Sequence, residues 1–480
     1  MFGLFGNINK LRNIHSDSEK KKIAKLLQTT PEALEEFEKA YHLGVLEEPV
    51  SDNLFEVNAK QAAGMNDHIT VDDSEVESLI DRIVTELLSE TTFFKYEDGT
   101  VSYGDFGIPF PEHPVTKEEI LSLPESLRPQ LSGTLLKKEL NGDSYPGILS
   151  IYKEYLKEKN PQKKKMTYDI FRQGLEIQDL DPITYQIIAK NKNSIGNWFP
   201  ELTQAVKKQD FFKIPDTTII RVPLPLLQLT KLDYMELTKT SLEIADRFCE
   251  KAFSLDRQKE YFIKTGVFSS KFDFRNAHIQ GAEEVRTIGE YLLFIHFQAS
   301  SMAHFDLNGR NQPVIYGPGT TVEWVCREFI QDKEQNPCIY KGLPLHTEYR
   351  VFIDAEKNDV IGIAPYWDPD TMKKRFGHES DKDSPHQVHD YIIYMAHENI
   401  LMKRFAENKD SVVQHIKDML PDLNLTGQWS LDVMQNGNDF YIIDMALAAE
   451  SALKKYVPKG RLHPVKEDWI QELMKRDCYK

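Results

Sequence analysis

Two aspartates interrupt apolar stretches near the end of this chain, Asp432 in WSLDVM and Asp444 in FYIIDMAL. A carboxylate in such surroundings is costly to bury without a partner or a cation. Asn436-Gly437 between them is a hairpin turn signal, so the two stand on paired strands. Register then decides their chemistry. With a two-residue turn at 436 and 437, Asp432 pairs with Tyr441 and Asp444 falls on the opposite face. With a three-residue turn, 436 to 438, Asp432 pairs with Ile442 and Asp444 becomes its diagonal neighbour, about 7–8 Å away. In that second register both carboxylates converge on one magnesium ion, a hard cation that takes few protein carboxylates when phosphates supply the remaining oxygens.

In HTEYRVFIDA, strand alternation puts Glu348, Arg350 and Phe352 on one face and Tyr349, Val351 and Ile353 on the other. In a cleft Arg350 suits a phosphate and Glu348 a ribose hydroxyl or a metal; on an exposed face they are an ion pair of little consequence. In YFIKTGVFSSKFDF, Lys264 and Lys271 flank Gly266 and Ser269-Ser270. These are donors for a polyphosphate, or the surface lysines of an ordinary strand and turn. The G-x-x-x-x-G-K-[ST] loop is absent. His378, His386, His389 and His397 lie close together without H-E-x-x-H or cysteine support, which reads as a helix face rather than a zinc site. GPGTT at 317–321 reads as a turn feeding the next strand.

The elements that must position these residues alternate from about residue 216 onwards. TTIIRVPL, EYFIKTGVF, TVEWVCREFI, TEYRVFIDA and DVIGIAPYW have strand character. DYMELTKTSLEIADRFCEKAF and EEVRTIGEYLLFIHFQASSMA have helical periodicity, and two helical stretches are expected over roughly 386–419. This is an α+β domain over 216–460. Before it, 1–65 reads as a helical module and linker, with helices over 18–47, and 66–215 as a mixed, mainly helical region that opens with the amphipathic SEVESLIDRIVTELLSE. Residues 461–480 read as a C-terminal helix or tail.

The 480 residues include 40% hydrophobic and 28% charged, and no apolar run approaches the roughly 18 needed to span a bilayer. A membrane partner is not expected. The start, MFGLFGNINKLRN, lacks the continuous apolar core of a secretory signal. Four scattered cysteines without a C-x-x-C pair fit a reducing cytoplasm. A net charge of −16 opposes broad coating of nucleic acid, and DNA is not an expected partner. The basic run at 157–165 is read as a solvated loop or helix end.

Taken in order, Lys264, Ser269-Ser270, Lys271 and Asp273, REFI at 327–330, the E-x-R-x-F of Glu348 to Phe352, Asp432, and the IID ending at Asp444 resemble the ATP-grasp superfamily. Within it they are most similar to the cell division cycle 123 family and to a related clade named for one arginine and two lysines. The resemblance covers roughly 217–455. It implies ATP held between two α+β subdomains, with Lys264, Lys271 and Arg350 on phosphates, Glu328, Phe329 and Ile330 as the hinge beside adenine, and Asp432 and Asp444 on magnesium. Where the family has an Asn two residues after the last acidic ligand, this chain has Ala446, so that contact is missing or supplied by Glu450. The activity implied by the clade is that of an ATP-dependent ligase acting on RNA, with Lys264 or Lys271 as an acceptor of the nucleotidyl group. The alternative implied by the first family is an ATP-binding assembly factor whose partner is a protein.

Overall fold

A computed structural model describes residues 74–131, 154–177, 182–302, 319–375 and 385–463, with single positions at 151, 180, 317 and 465. The module at 1–65 with its helices over 18–47, the linker before residue 73, most of the 461–480 tail and His378 lie outside the described residues.

The fold is α+β, built on two sheets. In chain order the strands are β1 (Thr92–Glu97), β2 (Thr100–Asp105), β3 (Phe212–Lys213), β4 (Thr217–Arg221), β5 (Tyr261–Thr265), β6 (His278–Ile279), β7 (Glu323–Glu328), β8 (Cys338–Ile339), β9 (Leu343–Pro344), β10 (Thr347–Asp354), β11 (Asp359–Pro365), β12 (Gln428–Asn436) and β13 (Asp439–Leu447). The first sheet has the order β2-β1-β4-β7-β5-β6 and the second β11-β10-β12-β13-β3. The β1–β2 hairpin turns at Asp98-Gly99, both with positive φ, a conformation that this dipeptide adopts readily. The line at 215/216 runs through both sheets, since β1 pairs with β4 and β3 runs parallel to β13. Residues before 216 therefore complete the sheets that carry the later motifs.

Each sheet buries one face under helices. Ile220, Ile263 and Trp324 of the first lie in the core with helices Lys239–Phe253 and Ile288–Met302. Thr238 caps the first of these, accepting from the Ser241 amide. In the second sheet, Tyr349, Val351, Leu431, Val433 and Ile442 face the helix Pro385–Met419. That helix is a single element of 35 residues rather than two stretches, because no Gly or Pro interrupts it after its first residue. No helix among the described residues is long and apolar enough to cross a membrane.

The opposite faces of the sheets carry the polar residues. Pairing across the first sheet aligns Tyr96, Thr217, Arg327 and Phe262 in one row and Phe94, Ile219, Val325 and Lys264 in the next. Helix Phe199–Val206 covers the β1 side of this face through Phe199, whose ring meets Phe94 edge-on at 5.9 Å and Tyr96 at 6.3 Å. The β7–β5 side is left open towards β12 and β13.

Close packing of the two helices behind the first sheet rests on Gly289, where a Cβ would sit inside the Ala245 carbonyl group of the neighbouring helix. Gly289→Ala must push the helices apart and is expected to destabilise the protein by about 1–3 kcal/mol. The measurement is a lower urea midpoint at unchanged slope; an unaltered midpoint would contradict this helix contact.

Candidate functional site

The second sheet settles the hairpin register in a way neither simple turn provides. Asn436 pairs with Asp439, Met434 with Tyr441 and Val433 with Ile442, leaving Gly437-Asn438 as the turn. Continued regularly, that register would pair Asp432 with Ile443 and turn Asp444 to the far face. Instead the register shifts after Val433, the extra residue being Ile443, and Asp432 pairs directly with Asp444. A bulge adds one residue to one strand and so re-aims the side chains beyond it. Arg350 pairs with Asp432 on the other side, so one row across β10, β12 and β13 reads Arg350, Asp432, Asp444. Glu348 stands one step along, opposite Met434.

Every charge in this row is matched. Arg350 forks onto Asp432, Nε to Oδ1 at 2.8 Å and Nη2 to Oδ2 at 2.7 Å. Lys264 reaches across from the first sheet to Asp444 Oδ1 at 3.0 Å. Lys271 donates to the Tyr366 hydroxyl, and the Tyr366 ring lies 4.7 Å from the Lys271 ammonium and 4.8 Å from the Arg350 guanidinium. Arg327 donates through Nη1 to the carbonyl of the bulge residue Ile443.

Electrostatics follow from burial opposed by these partners. Burial pulls the Lys264 ammonium below the usual lysine range, with Asp444 opposing. It pulls Arg327 down to about 10, again with Asp444 opposing. For Asp444 burial pushes up, but Lys264 and Arg327 outweigh it and hold the carboxyl below its ordinary range. Asp432 likewise outweighs burial at Arg350 and raises it. The Tyr366 oxygen does the same for Lys271. Glu348, only 8% exposed, is pushed up to about 8, first by burial and then by Asp432, so it is mainly protonated at neutral pH.

These groups line a cavity of about 940 Å³, open mouth included. Of the residues expected from the sequence, Lys264, Ser269, Lys271, Glu328, Phe329, Ile330, Glu348, Asp432 and Asp444 line it. Arg350 stands behind Asp432. Ser270 does not join them: it is buried and gives its hydroxyl to Gln298 at 2.9 Å. Glu450 ends the turn Ala448–Glu450 and is not among the lining residues. Ala446 pairs with Ser430, whose hydroxyl is 2.6 Å from that of Ser451. Away from the charges the walls are apolar, with Phe262, Phe274, Phe329, Leu343 and Met434. The His278 ring stacks on Phe329 at 3.7 Å.

Among the lining residues with no role expected from the sequence are Arg327 and Tyr366. Arg327 opens the REFI stretch, whose other three residues carry the hinge expectation. Tyr366 follows β11 in an apolar run that gives none. Among the described residues no group of three or more His, Cys, Asp and Glu is placed to hold a metal by itself.

Solved structures similar to this chain include two of one protein. One is C-terminally truncated Cdc123 from Schizosaccharomyces pombe, with 14% identity over 57% of this chain and 93% of that one and a TM-score of 0.32. The other is Cdc123 from Schizosaccharomyces pombe, with 13% identity, the same coverages and a TM-score of 0.33. No known protein family and no curated protein matches the sequence.

The Glu348 shift has a sign that stability measurements read. Its folded value of about 8 lies above the ordinary value of 4.5. Its contribution is therefore fully present below about 4.5 and is lost as pH rises to about 8, by roughly 1.4 kcal/mol per unit at most. Glu348→Gln removes that titration. Relative to wild type, the variant is expected to gain stability between pH 5 and pH 8, seen as diverging urea midpoints, whereas parallel midpoints would contradict a buried neutral Glu348.

Proposed function

We propose that the cleft binds ATP with magnesium, and that the protein is an ATP-binding assembly factor which holds the nucleotide as a structural clamp for a protein partner. The observation that carries the nucleotide reading is the Asp432–Asp444 pair set across one bulge among four cations. Lys264, Lys271, Arg327 and Arg350 outnumber the carboxylates Glu328, Asp432 and Asp444 by one, with Glu348 mainly protonated. MgATP carries about −2 and complements it.

The residues fit both groups. Two facing carboxylates are a usual protein share for magnesium, whose other ligands are then phosphate oxygens and water. Asp444 is 41% exposed and has room to accept a cation. Phe329, Phe262 and the backbone of Glu328–Ile330 provide an apolar slot for a base, and Lys264 and Lys271 lie where phosphates would follow. When bound, magnesium would neutralise phosphate charge; the protein residues bind, orient and exclude water.

The clamp reading is favoured over turnover by Ala446. With an alanine two residues after Asp444, and Glu450 outside the lining, the cation has one protein ligand fewer at the point where transition-state charge would need neutralising. The ligase reading, with RNA as acceptor, draws on one observation, the buried Lys264 with its lowered proton affinity, since a desolvated lysine serves as a nucleophile.

Calorimetry of ATP with and without magnesium tests the site. Wild type is expected to bind in a magnesium-dependent way, and Asp432→Asn with Asp444→Asn to lose at least tenfold. Failure of wild type to bind ATP overturns the reading. Release of pyrophosphate or ADP in the presence of nicked RNA would decide for the ligase; bound, uncleaved ATP supports the clamp.

A further inference from the structure

Arg327 is a buried cation with part of its hydrogen-bonding capacity unspent. It is 4% exposed and lines the cavity beside Lys264 and Asp444. Nη1 holds the Ile443 carbonyl, and the Phe199 ring lies 5.5 Å from the guanidinium carbon, fixing its plane. Nε and Nη2 have no hydrogen-bond partner among the described residues. Leaving charged donors buried and unpaired costs more than the 1–3 kcal/mol of a neutral group. A fork of two N–H donors is the arrangement that meets an oxyanion edge-on.

We infer that Arg327 binds an oxyanion of a polyphosphate through Nε and Nη2, while its Nη1 maintains the bulge that opposes Asp432 to Asp444. One side chain then couples the anion to the carboxylate pair. Without the Nη1 hydrogen bond the extra residue at Ile443 has no tie to the first sheet, and the regular register turns Asp444 away. The identity of the anion rests on the nucleotide reading of the cleft; the existence of an oxyanion site does not. No residue motif in the sequence assigns this role, because the tie between Arg327 and Ile443 spans 116 residues.

The test uses adenosine, ADP and inorganic pyrophosphate as probes by calorimetry, on wild type, Arg327→Met and Arg327→Lys in the full chain. Arg327→Met is expected to weaken ADP and pyrophosphate at least tenfold and to leave adenosine unchanged, with Arg327→Lys intermediate. Equal losses for all three probes would mean a structural arginine and overturn the inference, as would no loss for any. If wild type binds pyrophosphate in an Arg327-dependent way but neither ADP nor adenosine, the oxyanion site stands and the nucleotide reading fails. If wild type binds none of the three, both fail. Should Arg327→Met not fold, Arg327→Lys decides alone. It keeps the charge, with its donors on a single nitrogen rather than in a fork, so weaker pyrophosphate binding at unchanged melting temperature supports the inference, and unchanged binding overturns it.

Discussion

A single extra residue in β13 governs the site. Because side chains alternate along a strand, a turn at Gly437-Asn438 lets the two aspartates share a face only if the register slips by one before Asp432, and Ile443 supplies that slip. Arg350 on β10 then stands in the same row and forks onto Asp432, while Lys264 crosses from the first sheet to Asp444. The cleft between the sheets is therefore bridged by charge pairing before any ligand arrives. Removing one partner of such a buried pair costs more than the pair contributes, because the other charge stays buried.

The same constraint explains why the chain needs residues before 216. Arg327 reaches the bulge from the open face of the first sheet, and its plane is set by Phe199 on a helix outside the later motifs. That helix packs through Phe199 against Phe94 and Tyr96 of the β1–β2 hairpin, which extends the sheet beyond β4. The Asn193 side chain also accepts the Leu447 amide at the end of β13. Among the described residues, the region before 216 thus reaches the site through the Phe199 ring, the Asn193 side chain and Pro215, which lines the cavity.

Much of this was legible in the residues. Alternation in HTEYRVFIDA placed Glu348 and Arg350 on one face, and apolar flanks around Asp432 and Asp444 marked carboxylates that need partners. The β1–β2 hairpin was equally legible in TTFFKYEDGTVSYGD, whose Asp-Gly turn sits between alternating strands, though the expectation of a mixed, mainly helical 66–215 did not name it. The bulge was not legible. It depends on a hydrogen bond between residues 116 apart, and local pattern carries no signal for that. Ser270 and Glu450 fell away for a similar reason: chain proximity to Lys271 and Ala446 does not fix direction, and Gln298 claims Ser270 from another helix.

The charge arrangement bears on what bound nucleotide could do. Both Asp432 oxygens already accept from Arg350, and Asp444 Oδ1 from Lys264. A carboxylate oxygen has a second lone pair, so a cation can share these groups without displacing the arginine. Sharing fixes the ground state firmly, since each carboxylate is held from two sides. Turnover requires something else, interactions that strengthen as charge develops on the transferring group. The cations placed to do so are Lys264, Lys271 and Arg327, and each is anchored to Asp444, Tyr366 or Ile443. If the cleft takes a nucleotide as proposed, cations and carboxylates anchored in this way favour holding it over turning it over.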